Sequence, residues 1–243
     1  MIKSLNRNEL KYMAIIAMVI DHIATFFISS TDCTAAYVSF RIIGRLTAPI
    51  MCFFIAEGFY YTHSRLKYAL RLGIFAVISQ FTYTFANNGI LFTWDWLMRW
   101  NVIFTLFIGF LVLYCYENVH NKFLKWTCIM LLLLLSIVGD WAVFAPIWIL
   151  IFYTHRSHIK KELLYFNIVA VMEVLLSIVA MIVMNRHWYG ELWQAGLFLF
   201  NLVIPMYNGQ KGSSNIFHKW VFYIFYPLHF TIIGIIYYYL LKI

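Results

Sequence analysis

Nine runs of mostly apolar residues, each of roughly bilayer length, follow one another along the chain with only short polar connections. They lie near residues 11–30, 36–62, 66–86, 101–117, 123–138, 141–155, 163–184, 191–207 and 217–241. A run of about 20 apolar residues is typical of a transmembrane helix, because a helix satisfies its backbone hydrogen bonds without water. The pattern predicts an all-α, polytopic transmembrane helical bundle of about nine spans.

Composition supports this interpretation. The chain is 63% hydrophobic and only 12% charged, which is too few polar side chains to cover a soluble domain of 243 residues. No linker divides the sequence, so residues 1–243 are predicted to form a single domain. The aromatic-rich stretch 87–100 is interpreted as an interfacial or re-entrant segment, which makes ten membrane segments the alternative count.

The distribution of basic residues predicts the orientation. With a cytoplasmic N-terminus, thirteen lysines and arginines fall in the segments on the inner side: Lys3, Arg7, Lys11, Arg65, Lys67, Arg71, Lys122, Lys125, Arg156, Lys160, Lys161, Lys211 and Lys219. Only three, Arg99, Arg186 and Lys242, fall on the outer side. This positive-inside bias predicts a multi-pass protein of the cell (plasma) membrane, with its N-terminus in the cytoplasm.

Several function classes are not favoured. The net charge of +8 comes from single basic residues between apolar runs, a pattern of loop anchors rather than of a nucleic-acid-binding patch. The four cysteines form no CxxC pair, so we expect neither a disulfide framework nor a metal site. The chain has no phosphate-binding glycine loop, no HExxH and no GxSxG motif.

Ionisable residues inside the predicted spans mark the candidate site. Asp21, His22, Arg45, Glu173 and His229 are placed near mid-depth by their distance from the span ends. A charge at that depth costs at least ~2.5–3.5 kcal/mol on insertion scales, so each is a functional candidate. The structural alternative is that the charged residues are buried ion pairs and the histidines are satisfied core residues.

Lys11 and His22 are eleven residues apart, about three helical turns. Both side chains therefore fall on one helix face, roughly 16 Å apart along the axis, with Lys11 at the cytoplasmic interface. A pantetheine arm spans a comparable distance. We therefore expect Lys11 to meet a phosphate of coenzyme A and His22 to act as the base in acyl transfer.

Arg41 and Arg45 are four residues apart and share a face of the second helix. Two interpretations stay open. In one the arginines form an anion cradle or stabilise an oxyanion, and in the other they pair with Asp21 or Glu173. Asp21 is about 100° around the helix from His22, which makes it a poor direct partner for that histidine and a candidate partner for Arg45.

The turn Asn208–Gly212, which contains Lys211, carries two glycines that permit close backbone approach to a ligand. Ordinary turns have the same composition. We interpret Lys211 as a further candidate for phosphate binding, in addition to Lys11.

Five stretches of the sequence resemble the TraX (F-pilin acetylase) family, in the same order and over essentially the whole chain. They are Leu10-Lys11 through Asp21-His22-Ile23, Arg41-Ile42-Ile43-Gly44-Arg45-Leu46 with Pro49, Ala56-Glu57-Gly58-Phe59, Asn101-Val102-Ile103-Phe104-Thr105, and Phe222-Tyr223-Ile224-Phe225-Tyr226-Pro227-Leu228-His229. Lys11 and His22 also match the basic-x10-His pattern of the related transmembrane acyltransferases. Arg41 and Arg45 are spaced one residue wider than that group's RxxR pair.

The resemblance implies an acetyltransferase that uses cytoplasmic acetyl-CoA as the acyl donor. The acceptor would be an amine or hydroxyl of a peptide, a pilin-like subunit or a small molecule, reached from the membrane or its outer side. The implied catalytic residues are His22, Asp21 and His229. The residues predicted to bind the donor are Lys11, Arg41 and Arg45, together with Lys211 of the turn, and those predicted to bind the acceptor are Glu57, Asn101 and Tyr226.

Two other functions are compatible with the sequence. Buried acids, histidines and arginines also form the relay of a proton-coupled small-solute transporter, although such proteins usually contain an internal repeat that is not evident here. A non-catalytic assembly factor is the third possibility, and it predicts that Lys11 and His22 can be replaced without loss of function.

Overall fold

A computed structural model describes residues 4–28, 35–213 and 215–241. In this part of the chain the secondary structure is helical, apart from two isolated backbone bridges, so the all-α prediction is confirmed. The α-helices are α1 (Arg7–Phe27), α2 (Ala35–Gly44), α3 (Thr47–Tyr61), α4 (Arg65–Asn88), α5 (Val102–Asn118), α6 (Lys122–Ser136), α7 (Phe144–Thr154), α8 (Ile159–Val183), α9 (Phe200–Val203) and α10 (Ile216–Ile235). Short 3₁₀ helices span Trp94–Leu97, Trp188–Leu199 and Ile204–Met206, and a π-helix spans Ile236–Leu240.

Among the described residues, five helical segments are long and apolar enough to cross a membrane. They are Arg7–Phe27, Ala35–Tyr61, Arg65–Asn88, Ile159–Val183 and Trp220–Leu240. Val102–Asn118 and Phe144–Thr154 are apolar but shorter. The expected count of nine spans is therefore not confirmed, and the possible tenth segment at 87–100 contains the last two residues of α4 and the four-residue 3₁₀ helix Trp94–Leu97.

The region 191–207, expected to be one membrane helix, is instead divided among a 3₁₀ helix, the four-residue α9 and a second 3₁₀ turn. Glycines weaken a helix because they are conformationally free, and a proline removes a backbone donor. Gly190, Gly196 and Pro205 fall in or beside this region. We name Trp188–Leu199 the Trp188 helix.

The segment Ala35–Tyr61 is likewise interrupted, at Arg45-Leu46, where α2 ends and α3 begins. Pro49 has no N–H to donate to the carbonyl of Arg45 four residues earlier, and its ring crowds that carbonyl. The backbone tightens instead, with Leu46 N donating to Ile43 O at 3.1 Å. The break leaves Arg45 immediately beyond the last turn of α2.

Backbone contacts divide the chain into two compact units. Unit 1 comprises Met1–Met51 and Ser157–Lys219, and unit 2 comprises Cys52–Arg156 and Trp220–Ile243. Each unit is described separately below. The expectation of one domain over residues 1–243 stays a prediction.

In unit 1, α1 begins with a complete capping box. The Asn6 side chain accepts hydrogen bonds from the backbone N–H groups of Asn8 and Glu9, and the Glu9 carboxylate accepts one from Asn6 N. Such a cap contributes about 1 kcal/mol and fixes where the helix starts. The 21 residues that follow are helical without interruption, so Lys11 and His22 lie on the same continuous helix.

Candidate functional site

A stripe of small residues on α1 brings α2 close. The buried positions of α1 include Leu10, Ala14, Ala17, Asp21 and Ala24, which recur every three or four residues on one face. Small side chains allow helix backbones to approach closely in a membrane protein.

On α2, Gly44 completes this contact. A Cβ atom added at Gly44 would overlap the Asp21 side chain, and the Thr47 hydroxyl just beyond it donates to Ala14 O at 3.0 Å. Asp21 is thus held directly against the end of α2.

Asp21 binds both arginines of α2. Its Oδ1 accepts from Arg41 Nη1 at 2.7 Å and from Arg45 Nη2 at 3.2 Å, and its Oδ2 accepts from Arg45 Nη2 at 3.0 Å. All three side chains are largely buried, with 11–13% of each exposed. The expected pairing of Asp21 with Arg45 is confirmed and extends to Arg41.

The Trp188 helix covers the other side of the two arginines. The guanidinium carbons of Arg41 and Arg45 lie 3.9 and 4.6 Å from the centre of the Trp193 ring, which is a cation–π arrangement. Gln194 Oε1 accepts from Arg45 Nη1 at 3.4 Å. A Cβ atom at Gly196 would overlap the backbone of Ile42, so this glycine permits the close approach to α2.

We name Asp21, Arg41, Arg45, Trp193 and Gln194 the arginine cluster. Two further acids act on it electrostatically: Glu173 of α8, which is 7% exposed, interacts with Arg45, and Glu191 with both arginines. Within the described residues neither acid forms an ion pair with an arginine, so the alternative of an Arg45–Glu173 bridge is not what the structure adopts. Sequence reasoning missed Trp193 and Gln194 as cluster residues, because neither side chain is charged and a tryptophan near a span end is also typical of an interfacial anchor.

Lys11 and His22 lie on a different face of α1. From helical geometry their side chains are roughly 100° around the axis from the buried stripe that carries Asp21. Both are half-buried, and the His22 ring meets the Phe26 ring edge-to-face at 6.4 Å. The structure therefore separates the two sequence neighbours, Asp21 facing α2 and His22 facing elsewhere.

The turn that carries Lys211 pairs with the start of α1. Leu5 N donates to Met206 O at 3.0 Å, and Arg7 N donates to Gln210 O at 2.9 Å. The exposed Lys211 follows Gln210 directly, so it lies beside the first turn of α1, one turn before Lys11. The two lysines that were predicted to bind phosphate thus come from segments that the structure joins.

Glycines make this pairing possible. Gly209 and Gly212 have φ values of 79° and 72°, in the left-handed region that other residues avoid. A Cβ atom at Gly212 would crowd the Asn6 side chain that caps α1. The neighbouring Ser213 O accepts from Asn8 Nδ2 at 2.8 Å, which holds the turn on the helix start.

In unit 2, Glu57 is paired with an arginine that sequence reasoning did not single out. Its Oε1 accepts from Arg156 Nε at 2.5 Å, and the Arg156 guanidinium lies 3.7 Å from the centre of the Tyr60 ring. Burial lowers the pKa of Arg156, but the hydrogen bond and charge of Glu57 outweigh that effect and leave the pKa above its ordinary value. Arg156 lies between α7 and α8, so Glu57 serves as the partner of a loop arginine.

Asn101 is the N-cap of α5. Its Oδ1 accepts from the N–H groups of Ile103 and Phe104 at 3.0 and 3.3 Å, and its Nδ2 donates to Ala76 O and Gln80 Oε1, both at 2.8 Å. The residue has no exposed surface, and these bonds use the full capacity of its side chain. The structure gives it a capping and bridging role, while substrate binding by Asn101 stays a prediction.

Tyr226 and His229 lie one turn apart on α10, and both are buried. The Tyr226 hydroxyl accepts from Val102 N at 3.4 Å, beside the Asn101 cap. His229 Nδ1 lies 3.0 Å from Phe225 O, a geometry that favours the tautomer with its proton on Nδ1. The two aromatic rings meet edge-to-face at 5.3 Å, so a substrate role for either residue would involve the other.

The five membrane-length helices in the described ranges, together with a buried cluster of charged side chains, define a helical integral membrane protein. The particular family follows from sequence comparison. The profile of the TraX protein family matches residues 6–237, and the chain belongs to this family. The resemblance noted from the sequence motifs is therefore confirmed.

Two curated relatives are similar to the chain. A "Probable fimbrial assembly protein FimC, serogroup H1" of Dichelobacter nodosus is 31% identical over 234 residues, which cover 93% of each protein. An uncharacterized protein of Rickettsia prowazekii (strain Madrid E) is 31% identical over 114 residues, or 47% of this chain and 39% of that protein. No solved structure matches the chain.

Proposed function

We propose that the protein is a membrane-embedded acetyltransferase that moves an acetyl group from cytoplasmic acetyl-CoA to an amine or hydroxyl acceptor. The observation that carries the proposal is the uninterrupted α1, which holds Lys11 and His22 on one face roughly 16 Å apart. The pairing of the Lys211 turn with the start of α1 adds a second cation near Lys11. This spacing suits a ligand with phosphates at one end and a thioester at the other.

In the proposed reaction His22 accepts the proton of the acceptor amine or hydroxyl. The acceptor atom then forms a bond to the acetyl carbonyl carbon, the carbon–sulfur bond breaks, and the coenzyme thiolate takes up a proton. Asp21 is a positioning residue in this scheme, because both of its oxygens are already occupied by guanidinium donors. It holds Arg41 and Arg45 in place within the protein.

For the acceptor we propose a fimbrial or pilin-type subunit. The support is the family membership together with the Dichelobacter nodosus relative, whose name assigns it to fimbrial assembly. Such an acceptor is reached from the membrane or its outer side, with the N-terminus of the enzyme in the cytoplasm of a bacterial cell. By family resemblance, His229 stays a candidate catalytic residue and Tyr226 a candidate acceptor-binding residue.

Calorimetry on the detergent-purified protein tests donor binding. We expect Lys11→Ala to weaken acetyl-CoA binding by about ten- to a hundredfold, the range for a lost hydrogen bond to a charged group. Lys160→Ala, at an exposed lysine of α8, is the matched control and should bind as the wild type does. Absence of binding by folded wild-type protein would remove acetyl-CoA as the donor.

Release of coenzyme A in the presence of acceptor subunits tests the base. We expect His22→Gln to bind acetyl-CoA normally but to lose turnover by about 10²- to 10⁴-fold, the usual contribution of a general base. His187→Gln, at an exposed histidine of unit 1, controls for loss of an imidazole in itself. Normal turnover by His22→Gln would place the base elsewhere.

One observation favours a second candidate function, a proton-coupled transporter. The segment Ala35–Tyr61 is broken at Arg45, and interrupted helices with charged residues at the break are common at transporter substrate sites. Uptake measurements in proteoliposomes under an imposed proton gradient distinguish the two functions. Acetyl-CoA-independent, gradient-driven uptake that Arg45→Gln abolishes would support transport and count against acetyl transfer.

A further inference from the structure

A recess in unit 2 lies between the end of α4 and the chain that leads into α5. It is a small recess, with a volume of about 30 Å³. Its lining includes Tyr83 and Asn87 of α4 and, from the connecting segment, Thr93, Trp96 and Arg99. Neither the proposed acetyl transfer nor any of the family motifs uses these residues.

The recess is built from positioned groups. The Trp96 ring packs against the rings of Phe81, Phe92 and Trp100, with centroid separations of 5.2–5.7 Å. The backbone at Arg99 is held as well, because Arg99 O accepts from Gln80 Nε2 at 2.7 Å. The connecting segment therefore presents its side chains from a fixed backbone.

Two buried polar atoms of the lining have no hydrogen-bond partner in the part of the chain that the structure describes. They are Trp96 Nε1 and Thr93 Oγ1. Burying a donor without a partner is costly, so such atoms call for an explanation. Both atoms belong to residues that line the same small recess, and a shared ligand there would explain both.

The chemistry of the donors restricts the ligand. An indole N–H can only donate, a guanidinium can only donate, and a threonine hydroxyl is able to donate. The Tyr83 hydroxyl interacts with the Asp140 carboxylate, and Asn87 Nδ2 donates to Tyr83 O at 2.8 Å. Among the remaining lining residues, Trp96, Thr93 and Arg99 bring three donors from one connecting segment. A ligand group that fits these donors must offer several acceptor oxygens and must tolerate or carry a negative charge.

Asp140 carries a negative charge near Tyr83, which offsets part of the field of Arg99. Affinity must therefore come from the directed hydrogen bonds as well as from net charge. Hydrogen bonds from a guanidinium and an indole N–H to an oxyanion are of the strong, charge-assisted kind. We propose that the recess between α4 and α5 binds a carboxylate or phosphate group through Trp96 Nε1, Thr93 Oγ1 and Arg99.

The site does not depend on the proposed acetyltransferase function, and its test uses no activity. The full-length protein is placed in phosphatidylcholine nanodiscs, and its thermal unfolding is followed while sodium phosphate or sodium acetate is added. Sodium chloride at the same ionic strength is the reference. In a second arm, part of the phosphatidylcholine is replaced by phosphatidylglycerol, which presents the phosphate as a lipid headgroup.

Three variants remove single donors: Trp96→Phe keeps the packed ring, Thr93→Val keeps the shape, and Arg99→Gln removes the charge. Trp94→Phe is the matched control, because Trp94 is in the same 3₁₀ helix, is 84% exposed and does not line the recess. A ligand that binds only the folded state raises the unfolding midpoint in a concentration-dependent way. We expect the anion to raise the unfolding midpoint of the wild type and of Trp94→Phe. In Trp96→Phe and Arg99→Gln the apparent affinity for the anion should be weaker by about tenfold or more.

The anion-free proteins provide a second readout. Because Trp96 Nε1 has no partner there, Trp96→Phe should unfold at the same temperature as the wild type or higher. Stabilisation by free phosphate or acetate identifies a soluble ligand, and stabilisation by phosphatidylglycerol alone identifies a lipid headgroup; either supports the site. The proposed site would be overturned by the absence of stabilisation in both arms. It would also be overturned if Trp94→Phe and Trp96→Phe lost the stabilisation by anion equally. Should one variant fail to fold, the same comparison is made with Thr93→Val.

Discussion

The Asp21→Asn substitution tests whether the arginine cluster is an electrostatic unit on which unit 1 depends. Asparagine keeps the shape of the side chain but removes the charge that faces Arg41 and Arg45. Removing one partner of a buried ion pair costs about 3–5 kcal/mol, because the remaining charge stays buried. With only 11–13% of these side chains exposed, solvent screening offers little relief.

Two features place the expected loss at the lower end of that range. The asparagine oxygen still accepts one guanidinium hydrogen bond, and Glu173 and Glu191 supply negative charge nearby. We therefore expect Asp21→Asn to lower the free energy of unfolding by about 3 kcal/mol.

A compensating variant separates charge from shape. The wild-type trio carries a net charge of +1, as one carboxylate and two guanidiniums. Asp21→Asn raises it to +2, and the double variant Asp21→Asn/Arg45→Gln returns it to +1. We expect the free energy of unfolding to fall in the double variant by about 1–2 kcal/mol less than the sum of the two single losses. This coupling is within the range for side chains in direct contact.

The assay is unfolding of the purified protein in mixed micelles as the fraction of denaturing detergent rises, followed by far-ultraviolet circular dichroism. Glu117→Gln, at an exposed acid of α5, is the control and should change stability by less than about 0.5 kcal/mol. A loss below about 1 kcal/mol for Asp21→Asn, or strict additivity in the double variant, would refute the reasoning. The charges would then be solvated, and the ion pairs would contribute little.

Two other substitutions test the packing around the candidate sites. Gly44→Ala should destabilise the protein by about 1–3 kcal/mol, because the added methyl group overlaps the Asp21 side chain. Gly73→Ala is the control in the same unfolding assay. Its new atom meets Phe107 at an ordinary 3.6 Å, so it should be close to neutral. Asn101→Ala should cost about 2–4 kcal/mol, since it removes the α5 cap and leaves Gln80 without its bonds to the Asn101 side chain; unchanged stability would show that the cap is dispensable.

The helical class of the fold and the main long spans could be predicted from the sequence, because apolar length is a local property. The break at Arg45-Leu46 was not predicted, although Pro49 was visible as its cause. The continuous apolar run from 36 to 62 favours one uninterrupted helix. A single proline is compatible both with a break and with the first turn of a helix, so it did not decide between them. The irregular region 191–207 shows the same competition, since its hydropathy indicates a span while its glycines and proline interrupt one.

The candidate site was predicted in its residue types but only partly in its contacts. Spacing alone placed Arg41 and Arg45 on one face of a helix. The partners of that face depend on which helices approach, and this is decided by residues distant in sequence, such as Gly196, which lets the Trp188 helix reach α2. Trp193 could not be assigned to the cluster without that approach, because a tryptophan near a span end is equally typical of an interfacial anchor.

The geometry of α1 explains how two adjacent ionisable residues come to have separate roles. Successive helical side chains differ by about 100°, so Asp21 and His22 cannot both face α2. Asp21 lies on the stripe of small residues and is occupied by two guanidiniums, while His22 lies on the face shared with Lys11. A chain that needed a carboxylate to orient its histidine would place it three or four residues away rather than next to it. The proposed donor would therefore meet His22 on the Lys11 face of α1, while the arginine cluster holds Asp21 against α2.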